Sequence, residues 1–321
     1  MNNKKLIKKL MQFREFGVFV VLVGMCIILT IITPIFIKPT NLLNIVRQTT
    51  EISIMAIGMT FIIVNAEIDL SVGSMYGFCA MLAAVMIRDG YSPTLAFLAA
   101  LISGIIFGVI NGFLSTKGRV PSFIVTLGTM QILRSAAFGI SNGLNVSNFP
   151  ESSLDSWVFV IGEQIGGIPI QVIIMVVLVI IAIIVMSKTS FGFKVYATGG
   201  NKNAARLAGI DTDLIKIISF VIMGAVSALA GMISLAYLHS VPTTAGQGRE
   251  MDVIAAVILG GTNLAGGKGT IVGTLIGSII MGVVRNGMVL IGVPAFYQTG
   301  FIGLVILLAV LADTWIGRKA G

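Results

Sequence analysis

The sequence predicts an all-α integral membrane protein: a polytopic bundle of about ten transmembrane helices, with a possible inverted repeat and with both termini cytoplasmic. Of its 321 residues, 56% are hydrophobic and only 11% are charged, whereas roughly a quarter of the residues of a soluble domain are charged. Apolar runs near 20 residues, each long enough to cross a bilayer as a helix, recur along the chain. The runs do not alternate between polar and apolar residues, which favours helices over a barrel.

Ten candidate spans follow from these runs. They are Phe16–Ile37, Gln48–Asn65, Leu70–Ile87, Thr94–Thr116, Ser122–Asn142, Pro169–Ser187, Leu214–His239, Asp252–Leu264, Thr270–Ile291 and Phe296–Ile316. The first run follows a basic segment, residues 1–15, but it is too long for a signal peptide and shows no small-residue cleavage pattern. We therefore expect an uncleaved first helix and a single transmembrane domain over residues 1–321.

The distribution of positive charge predicts the orientation. Fifteen of the 21 lysines and arginines fall on the side that holds both termini. The other six lie outside or near the outer span ends: Lys38, Arg47, Arg88, Arg134, Arg249 and Arg285. Because lysine and arginine concentrate in cytoplasmic connections, both termini are predicted to be cytoplasmic. The net charge of +8 is spread over short connections without an aromatic-interleaved basic face, so we expect no nucleic-acid partner.

Two connections are longer than turns: an external one at 142–168 and a cytoplasmic one at 188–213. In the second, Asn201 can cap a short helix and Gly209 can end it. A polar, capped helix between two spans adds little to the stability of the bundle. It therefore indicates docking to another protein.

Glu67 and Asp69 lie between the second and third spans. Carboxylates that border a membrane segment are candidates for function. However, the spacing of Asp69 fits a cap of the third span, with N–H groups near Ser71 and Val72 as donors, and we favour that structural role. Glu67 has no such explanation and is the stronger functional candidate.

The eighth span is short, at about 13 residues, and runs directly into the glycine-rich segment Gly260–Gly269. Asp252 at its start can be a cap. Short, glycine-interrupted segments in corresponding positions of two halves point towards a central transport pathway. Glu67 and Asp69 would match Glu250 and Asp252 if spans two to five and seven to ten were an inverted repeat. The sequence leaves open whether the eighth segment crosses the membrane or re-enters.

The glycine-rich segment is not a nucleotide-binding loop. Thr262 stands where the first glycine of a P-loop is required, and Gly269 follows Lys268 in place of serine or threonine. The single histidine, His239, has no histidine or cysteine partner in sequence, which argues against zinc and triad chemistry. We therefore expect no catalytic residues, no metal and no cofactor in this chain.

Polar residues within or beside the spans could hydrogen-bond a polyol, although bonds between neighbouring helices are the commoner use. The candidates for a substrate pathway are Asn65, Glu67, Asp69, Ser74, Asn111, Thr126, Thr129, Asp252 and Asn286. Two ladders of glycine at every fourth position predict close helix packing inside the subunit. They are Gly104, Gly108, Gly112 and Gly269, Gly273, Gly277.

Three motifs carry a family resemblance that runs from about residue 35 to residue 313. Glu67–Ser74 resembles the Ile-Asp-Leu-Ser-Val-Gly-Ser signature of permeases in the ribose, xylose and galactose class of ABC importers. Gly260–Gly277 resembles a second hallmark of that family, and Thr198–Ile210 is similar to its cytoplasmic coupling segment. One departure is Glu67, where many members carry glycine.

The resemblance implies a permease subunit in a bacterial inner membrane that is not itself an enzyme. It implies a second permease copy or a sister permease, a cytoplasmic ABC ATPase that holds ATP and Mg²⁺, and an extracytoplasmic binding protein that delivers a monosaccharide. The ATPase-coupling candidates are Gly199, Gly200, Asn201, Ala205, Arg206 and Gly209. The candidates for docking the binding protein are Arg47, Arg88, Arg249 and Arg285.

Several alternatives stay open. An ion-coupled secondary transporter would place essential carboxylates within its spans, whereas the acidic residues here map to span ends and connections. An intramembrane enzyme or a structural membrane protein lacks support, because the sequence assembles no catalytic set. Within the favoured class, the cargo could instead be a nucleoside, a polyol or a furanosyl signalling molecule.

Overall fold

A computed structural model of the chain describes residues 14–294, 296–304, 307 and 311. Apart from one hairpin of two-residue strands, its regular elements are helices. In chain order they are α1 Arg14–Ile32, α2 Pro39–Val64, α3 Val72–Arg88, α4 Pro93–Thr116, α5 Ser122–Ile140, α6 Glu151–Leu154, α7 Trp157–Val160, β1 Gln164–Ile165, β2 Ile168–Pro169, α8 Ile170–Lys188, α9 Ser190–Gly200, α10 Lys202–Leu207, α11 Thr212–Leu238, α12 Arg249–Leu259 and α13 Ile271–Leu290. Residues 296–304 are also helical.

Among the described residues, six helices are long and apolar enough to cross a membrane, and α3 is a shorter apolar helix. The six are Glu15–Ile32, Pro93–Thr116, Ser122–Ile140, Ile170–Lys188, Thr212–Leu238 and Ile271–Leu290. Large apolar side chains are exposed along α1, α4, α5 and α8, as a lipid-facing surface requires. The predicted class, a polytopic helical membrane protein, is confirmed.

The centre of the bundle is formed by α2 and α11. Both are largely buried, and α11 packs against α2, α3 and α4. Its 27 residues span about 40 Å at a rise of about 1.5 Å per residue, so it connects the two ends of the molecule. α1 lies at the periphery, where it packs against α13.

The glycines of both ladders pack helices inside the subunit, as predicted, except Gly269, which lies in the loop before α13. A Cβ on Gly104 or Gly108 would lie 2.5 Å from the carbonyl oxygen of Gly224 or Phe220, both on α11. In the second ladder, a Cβ on Gly273 would overlap the carbonyl oxygen of Gly260 at the end of α12. The backbones of these helices are therefore in direct contact, as small residues permit.

Several predicted boundaries were wrong. α1 ends at Ile32 and not at Ile37, because Pro34 disfavours helical backbone in the residue before it. α2 begins at Pro39, well before Gln48. Proline suits the first turn of a helix, and polar residues in the first turns of α2 have hydrogen-bond partners in the bundle. The predicted tenth span, Phe296–Ile316, and the N-terminal segment 1–15 extend outside the described residues.

The predicted cap at Asp252 was also wrong. α12 begins at Arg249, after Gly248 in the left-handed conformation, so Asp252 lies inside the first turn. α12 has only 11 residues, or about 16 Å of helix, and ends at Leu259. Five residues of the predicted eighth span, 260–264, therefore form part of the loop that follows.

The two long connections are structured. The connection predicted to be external, 142–168, contains α6, α7 and most of the hairpin, and Val146 pairs with Val241. The connection predicted to be cytoplasmic contains α9 as well as the predicted short helix, α10. As predicted, the Asn201 side chain caps α10 by accepting from Ala204 N–H, and Gly209 ends it with a φ of 82°.

Candidate functional site

Polar and charged groups concentrate at the two ends of α11. At its C-terminal end, Leu238 lines a cavity. At its N-terminal end, Asp213 gathers basic side chains. We call these regions the cavity end and the charged end. They are about 40 Å apart along the helix.

The cavity has a volume of about 480 Å³, within the range of about 300–1,000 Å³ that is usual for small-molecule sites. It lies between α2, α3, α8, α11, α12, α13 and residues 240–247. Its main polar lining residues are Arg47, Glu51, Tyr76, Gln171, Ser234, Tyr237, Arg249 and Arg285.

Three helices meet at Glu51. Tyr76 Oη on α3 donates to Glu51 Oε2 on α2 at 2.9 Å, and Arg249 Nη2 on α12 donates to the same oxygen at 3.3 Å. Sequence reasoning missed both Glu51 and Tyr76. Glu51 lies well inside α2 and not at a span end. An acidic residue within an apolar span is a candidate for function, and this signal would have identified Glu51.

A second ion pair lies beside the first. Arg285 Nη2 on α13 donates to both carboxylate oxygens of Asp252, at 2.7 and 2.6 Å, and Asp252 is 2% exposed. Arg47 Nη1 donates to Tyr237 Oη at 2.8 Å, and its guanidinium carbon lies 4.8 Å from the centre of that ring. This distance permits a cation–π interaction.

The structure thus separates the four predicted docking arginines. Arg47, Arg249 and Arg285 line the cavity, where each has a polar or charged partner. Arg88 lies at the end of α3, is exposed and, among the described residues, pairs with its neighbour Asp89 alone, at 2.8 Å. Of the four, Arg88 is the one that does not line the cavity, although its side-chain exposure of 36% is close to the 35% of Arg285.

Four of the predicted pathway residues stabilise the connection between α2 and α3. Asp69 Oδ1 accepts from Ser71 N–H at 2.8 Å and from Ser71 Oγ at 2.6 Å. Asn111 donates to Ser71 Oγ at 3.0 Å and accepts from Thr129 at 2.6 Å. Thr126 Oγ1 accepts from Leu70 N–H at 3.1 Å. This network joins the connection to α4 and α5.

Asp69 makes only part of its predicted cap. It accepts from Ser71 N–H as expected, but Ser71, and not Asp69, is the residue before α3. The hydrogen bond that Asp69 accepts from Ser71 N–H, two residues later, closes a local turn that ends before α3 begins. Burial raises the pKa of Asp69 to about 6, against the lowering effect of its bonds to Ser71.

The remaining pathway candidates are also buried. Asn65 donates to Ser219 Oγ at 2.7 Å, and Asn286 exchanges two hydrogen bonds with Asn41, at 2.8 and 3.0 Å. Ser74 is buried, and its hydroxyl has no partner among the described residues. The nine pathway candidates are absent from the cavity lining, although Asp252 pairs with a lining residue.

At the charged end, Glu67 forms an ion pair with Lys216 of α11, and both side chains are largely buried. Asp213 accepts from Arg206 at 2.7 Å and lies 3.4 Å from Lys117 and 3.8 Å from Lys202. The pKa of Lys202 is lowered by burial and then by the nearby charges of Lys216 and Arg206. Arg206 and Lys202 thus attach α10 to the start of α11, whereas Glu67 attaches the connection between α2 and α3 to the same helix.

The three motifs singled out in the sequence meet at this end. A Cβ on Gly199 would overlap the carbonyl oxygen of Val64, the last residue of α2, and Gly267 N–H donates to that same oxygen at 2.9 Å. Gly200 is less crowded, because its nearest contact is the Gly267 Cα at 4.0 Å. Ala205 is buried and Arg206 also donates to Thr212, at 2.9 Å. Gly199 and Gly200 thus adjoin the glycine-rich motif, and Gly199 also adjoins the end of α2, three residues before Glu67.

Within the part of the chain that the structure describes, no group of three or more His, Cys, Asp and Glu side chains could hold a metal. His239 ends α11 in the left-handed conformation and contacts the edge of the Phe159 ring.

Comparison with known proteins identifies similar chains over nearly the whole length. The family described as branched-chain amino acid transport system / permease component matches residues 41–310. The ribose import permease protein of Bacillus subtilis (strain 168) is 42% identical over 94% of this chain and 92% of that protein. The ribose import permease protein of Escherichia coli (strain K12) is 44% identical over 89% of both chains. The xylose transport system permease protein of Escherichia coli (strain K12) is 33% identical over 89% of this chain and 87% of its own. No solved structure matches this chain.

Proposed function

Because this chain belongs to the family of transport-system permease components, we propose that it passes a monosaccharide through the membrane as a subunit of an ABC importer. It is a multi-pass protein of the bacterial cell membrane and a permease, not an enzyme. The relatives with 42% and 44% identity are named for ribose and the one with 33% for xylose, whereas the family description names branched-chain amino acids. The cavity is the observation that carries the sugar assignment.

The cavity lining suits a neutral, hydroxyl-rich solute. Glu51 and Asp252 already compensate Arg249 and Arg285, and the third arginine of the lining, Arg47, contacts the Tyr237 ring and hydroxyl. Both carboxylates are thus engaged, so neither is free for the ammonium of an amino acid. Carboxylate, amide, phenol and guanidinium groups can together donate to and accept from the hydroxyls of a sugar. A branched-chain amino acid would instead favour an apolar pocket for its side chain.

We also propose ten crossings, with both termini cytoplasmic, in one domain that covers residues 1–321. The eighth segment supports a crossing over a re-entrant turn. Arg249 at its start contacts Glu51, while Gly267 after its end contacts Val64. These two contacts lie about 20 Å apart along α2, so the segment runs from one level of the bundle to another.

An inverted repeat has support from helix lengths. In the first half a helix of 26 residues is followed by one of 17 and one of 24. In the second half a helix of 27 residues is followed by one of 11 and one of 20. In both halves a short helix, with an acidic motif before or at its start, lies between two long ones. Paired short segments of this kind are typical of transporter repeats.

For the partners, we propose a second permease copy or sister permease, an ABC ATPase and an extracytoplasmic sugar-binding protein. The ATPase would dock on residues 188–213, where Gly199, Gly200, Asn201, Ala205, Arg206 and Gly209 adjoin the end of α2 or the start of α11. It would hold the ATP and Mg²⁺, and this chain would need no cofactor. The binding protein would dock at the cavity end, with Arg88 as the exposed basic contact.

We assign an indirect role to most of the predicted pathway residues. Asp69, Asn111, Thr126 and Thr129 are buried and bonded within the subunit. Asn65, Ser74 and Asn286 are buried too. Asp69, Asn111, Thr126 and Thr129 would hold the connection between α2 and α3 in place while the importer changes state. Asn286 would instead attach α13 to the start of α2 through Asn41.

A labelled-solute uptake panel tests the assignment. The permease is reconstituted with its own ATPase and binding protein, and uptake of pentoses, hexoses, nucleosides, polyols and leucine is compared. We expect ATP-dependent, vanadate-sensitive uptake of a monosaccharide. Uptake of leucine alone would contradict the sugar cargo. Vanadate-resistant uptake that an ionophore abolishes would contradict the ABC mechanism and favour a secondary transporter.

A further inference from the structure

One face of α11 joins the short helix α10 to the connection between α2 and α3. Asp213 and Lys216 lie three residues apart near the start of α11, and residues at this spacing are neighbours on one face of a helix. Asp213 accepts from Arg206 of α10 at 2.7 Å. Lys216, one turn later, forms the ion pair with Glu67 of the connection. α11 therefore contacts both segments through adjacent charges.

The connection is attached in turn to the start of α5. Ile68 N–H donates to Ser122 Oγ at 3.3 Å, and Leu70 N–H donates to Thr126 Oγ1 at 3.1 Å. These donors are backbone groups one and three positions after Glu67. A displacement of the Glu67 side chain therefore acts on backbone that is bonded to another membrane helix.

Stability alone explains this ion pair poorly. The Lys216 and Glu67 side chains are 8% and 16% exposed, and removing two charges from water offsets much of their mutual attraction. A pair of apolar side chains of similar volume is often at least as stable. In addition, Asn65 donates to Ser219 Oγ of α11 at 2.7 Å. An uncharged bond thus already holds the connection against α11.

Each charge of the pair has a second partner close by. Lys216 has Asp213 one turn before it on α11. Lys202 lies 3.8 Å from Asp213. Burial is the main cause that lowers the pKa of Lys202, and the charge of Glu67 is among those that oppose it, so Glu67 is within electrostatic range. If the contact opened, Lys216 could turn to Asp213 and Glu67 to Lys202, and no charge would be left unpaired. Two discrete arrangements of this kind are what a switching element needs.

We propose that Glu67 and Lys216 are a positioning pair that transmits movement of α10 to the connection between α2 and α3. Movement of the docked ATPase shifts α10, and Arg206 carries the shift to Asp213. The pair at the next turn carries it to residues 65–70 and from there to the start of α5. Both residues act through their neighbours and neither has to contact the sugar or ATP. The inference rests on the proposed importer function and assigns a route by which the motion enters the bundle.

The test is Glu67→Gln/Lys216→Met in the complete importer, reconstituted with its own ATPase and binding protein. Because both charges are removed, thermal stability and ATPase copurification should stay near the wild-type level. The binding protein is loaded with ribose, or with the monosaccharide that the uptake panel selects. Its stimulation of ATP hydrolysis should fall about fivefold, the lower end of typical couplings between sites. Lys216→Arg keeps the charge and should keep most of the stimulation.

The matched control is Ser219→Ala. It removes the uncharged bond from Asn65 between the same two segments, so it should lower the unfolding temperature and leave the stimulation unchanged. If the double variant does not assemble, Glu67→Ala/Lys216→Leu replaces it.

Two outcomes would overturn the role of the pair alone: more than half of the wild-type stimulation in the double variant, or an equal loss in Ser219→Ala. Sugar uptake by the wild-type importer would still uphold the proposed function in both cases. Absence of sugar-dependent stimulation and uptake in the wild-type importer would contradict the proposed function, and the role of the pair with it.

Discussion

The two ends of α11 use polar residues in different ways. At the charged end, charged groups meet charged partners: Asp213 faces three cations and Lys216 pairs with Glu67. There the backbone of Gly199 also packs directly on Val64. At the cavity end, Glu51 and Asp252 each pair with one arginine, and polar side chains from separate helices line an open volume. One end therefore holds segments of the chain together through matched charges, whereas the other leaves a polar cavity between its helices.

The largest effect on stability is expected from Asp252→Asn at the cavity end. It removes the charge of a carboxylate that is 2% exposed and pairs with Arg285, whose side chain is 35% exposed. Because water reaches the guanidinium, the free energy of unfolding should fall by about 2–3 kcal/mol. Chemical unfolding of the purified permease in detergent measures this. The double variant Asp252→Asn/Arg285→Met should recover most of the loss. A single-variant loss below about 1 kcal/mol would show that the pair is effectively solvated.

The second effect tests backbone packing at the charged end with two neighbouring glycines. Gly199→Ala introduces a Cβ that overlaps Val64 O, so it should cost about 2 kcal/mol and reduce copurification of the ATPase. Gly200→Ala is the control, since its Cβ meets nothing closer than 4.0 Å. Both glycines are in helix α9, where alanine is favourable. Equal behaviour of the two variants would contradict the close approach.

The third effect concerns Glu67 and its ion pair with Lys216. Glu67→Gln removes the charge that faces the buried Lys216 ammonium and should cost about 1.5 kcal/mol. The double variant Glu67→Gln/Lys216→Met should restore stability, because neither charge remains. Thermal unfolding with each variant measures the coupling between the two residues. Additive losses in the double variant would show that the pair does not interact.

The smallest effect on stability is expected for the exposed ion pairs. Arg206→Ala and Arg88→Ala should each cost less than about 1 kcal/mol, because surface pairs are screened by solvent. Their effects on function should differ. Arg206→Ala should lower ATP-driven uptake and ATPase copurification, whereas Arg88→Ala should leave the ATPase bound. Unchanged uptake with Arg206→Ala would remove this residue from the coupling surface.

The sequence was a good guide to helices and a weaker guide to sites. Long apolar runs predicted α4, α5, α8, α11 and α13 to within a few residues, because hydropathy over about 20 residues depends little on tertiary contacts. The beginning of α2 was predicted too late, because its first turns are polar and are stabilised by partners such as Asn286 on α13. Local caps at Asn201 and Gly209 were predicted correctly because they depend on neighbouring residues alone.

By itself the sequence determined the membrane class, most of the long apolar helices, the short helix α10 and the three motifs that indicated the family. Only the tertiary structure decided how its polar residues are used. It brought Glu51 together with Arg249, which is 198 positions away along the chain, and it placed Gln171 against the same cavity. The reason is physical: hydropathy and caps are properties of local segments, whereas a polar cavity is formed by single residues from separate helices that meet only when the bundle packs.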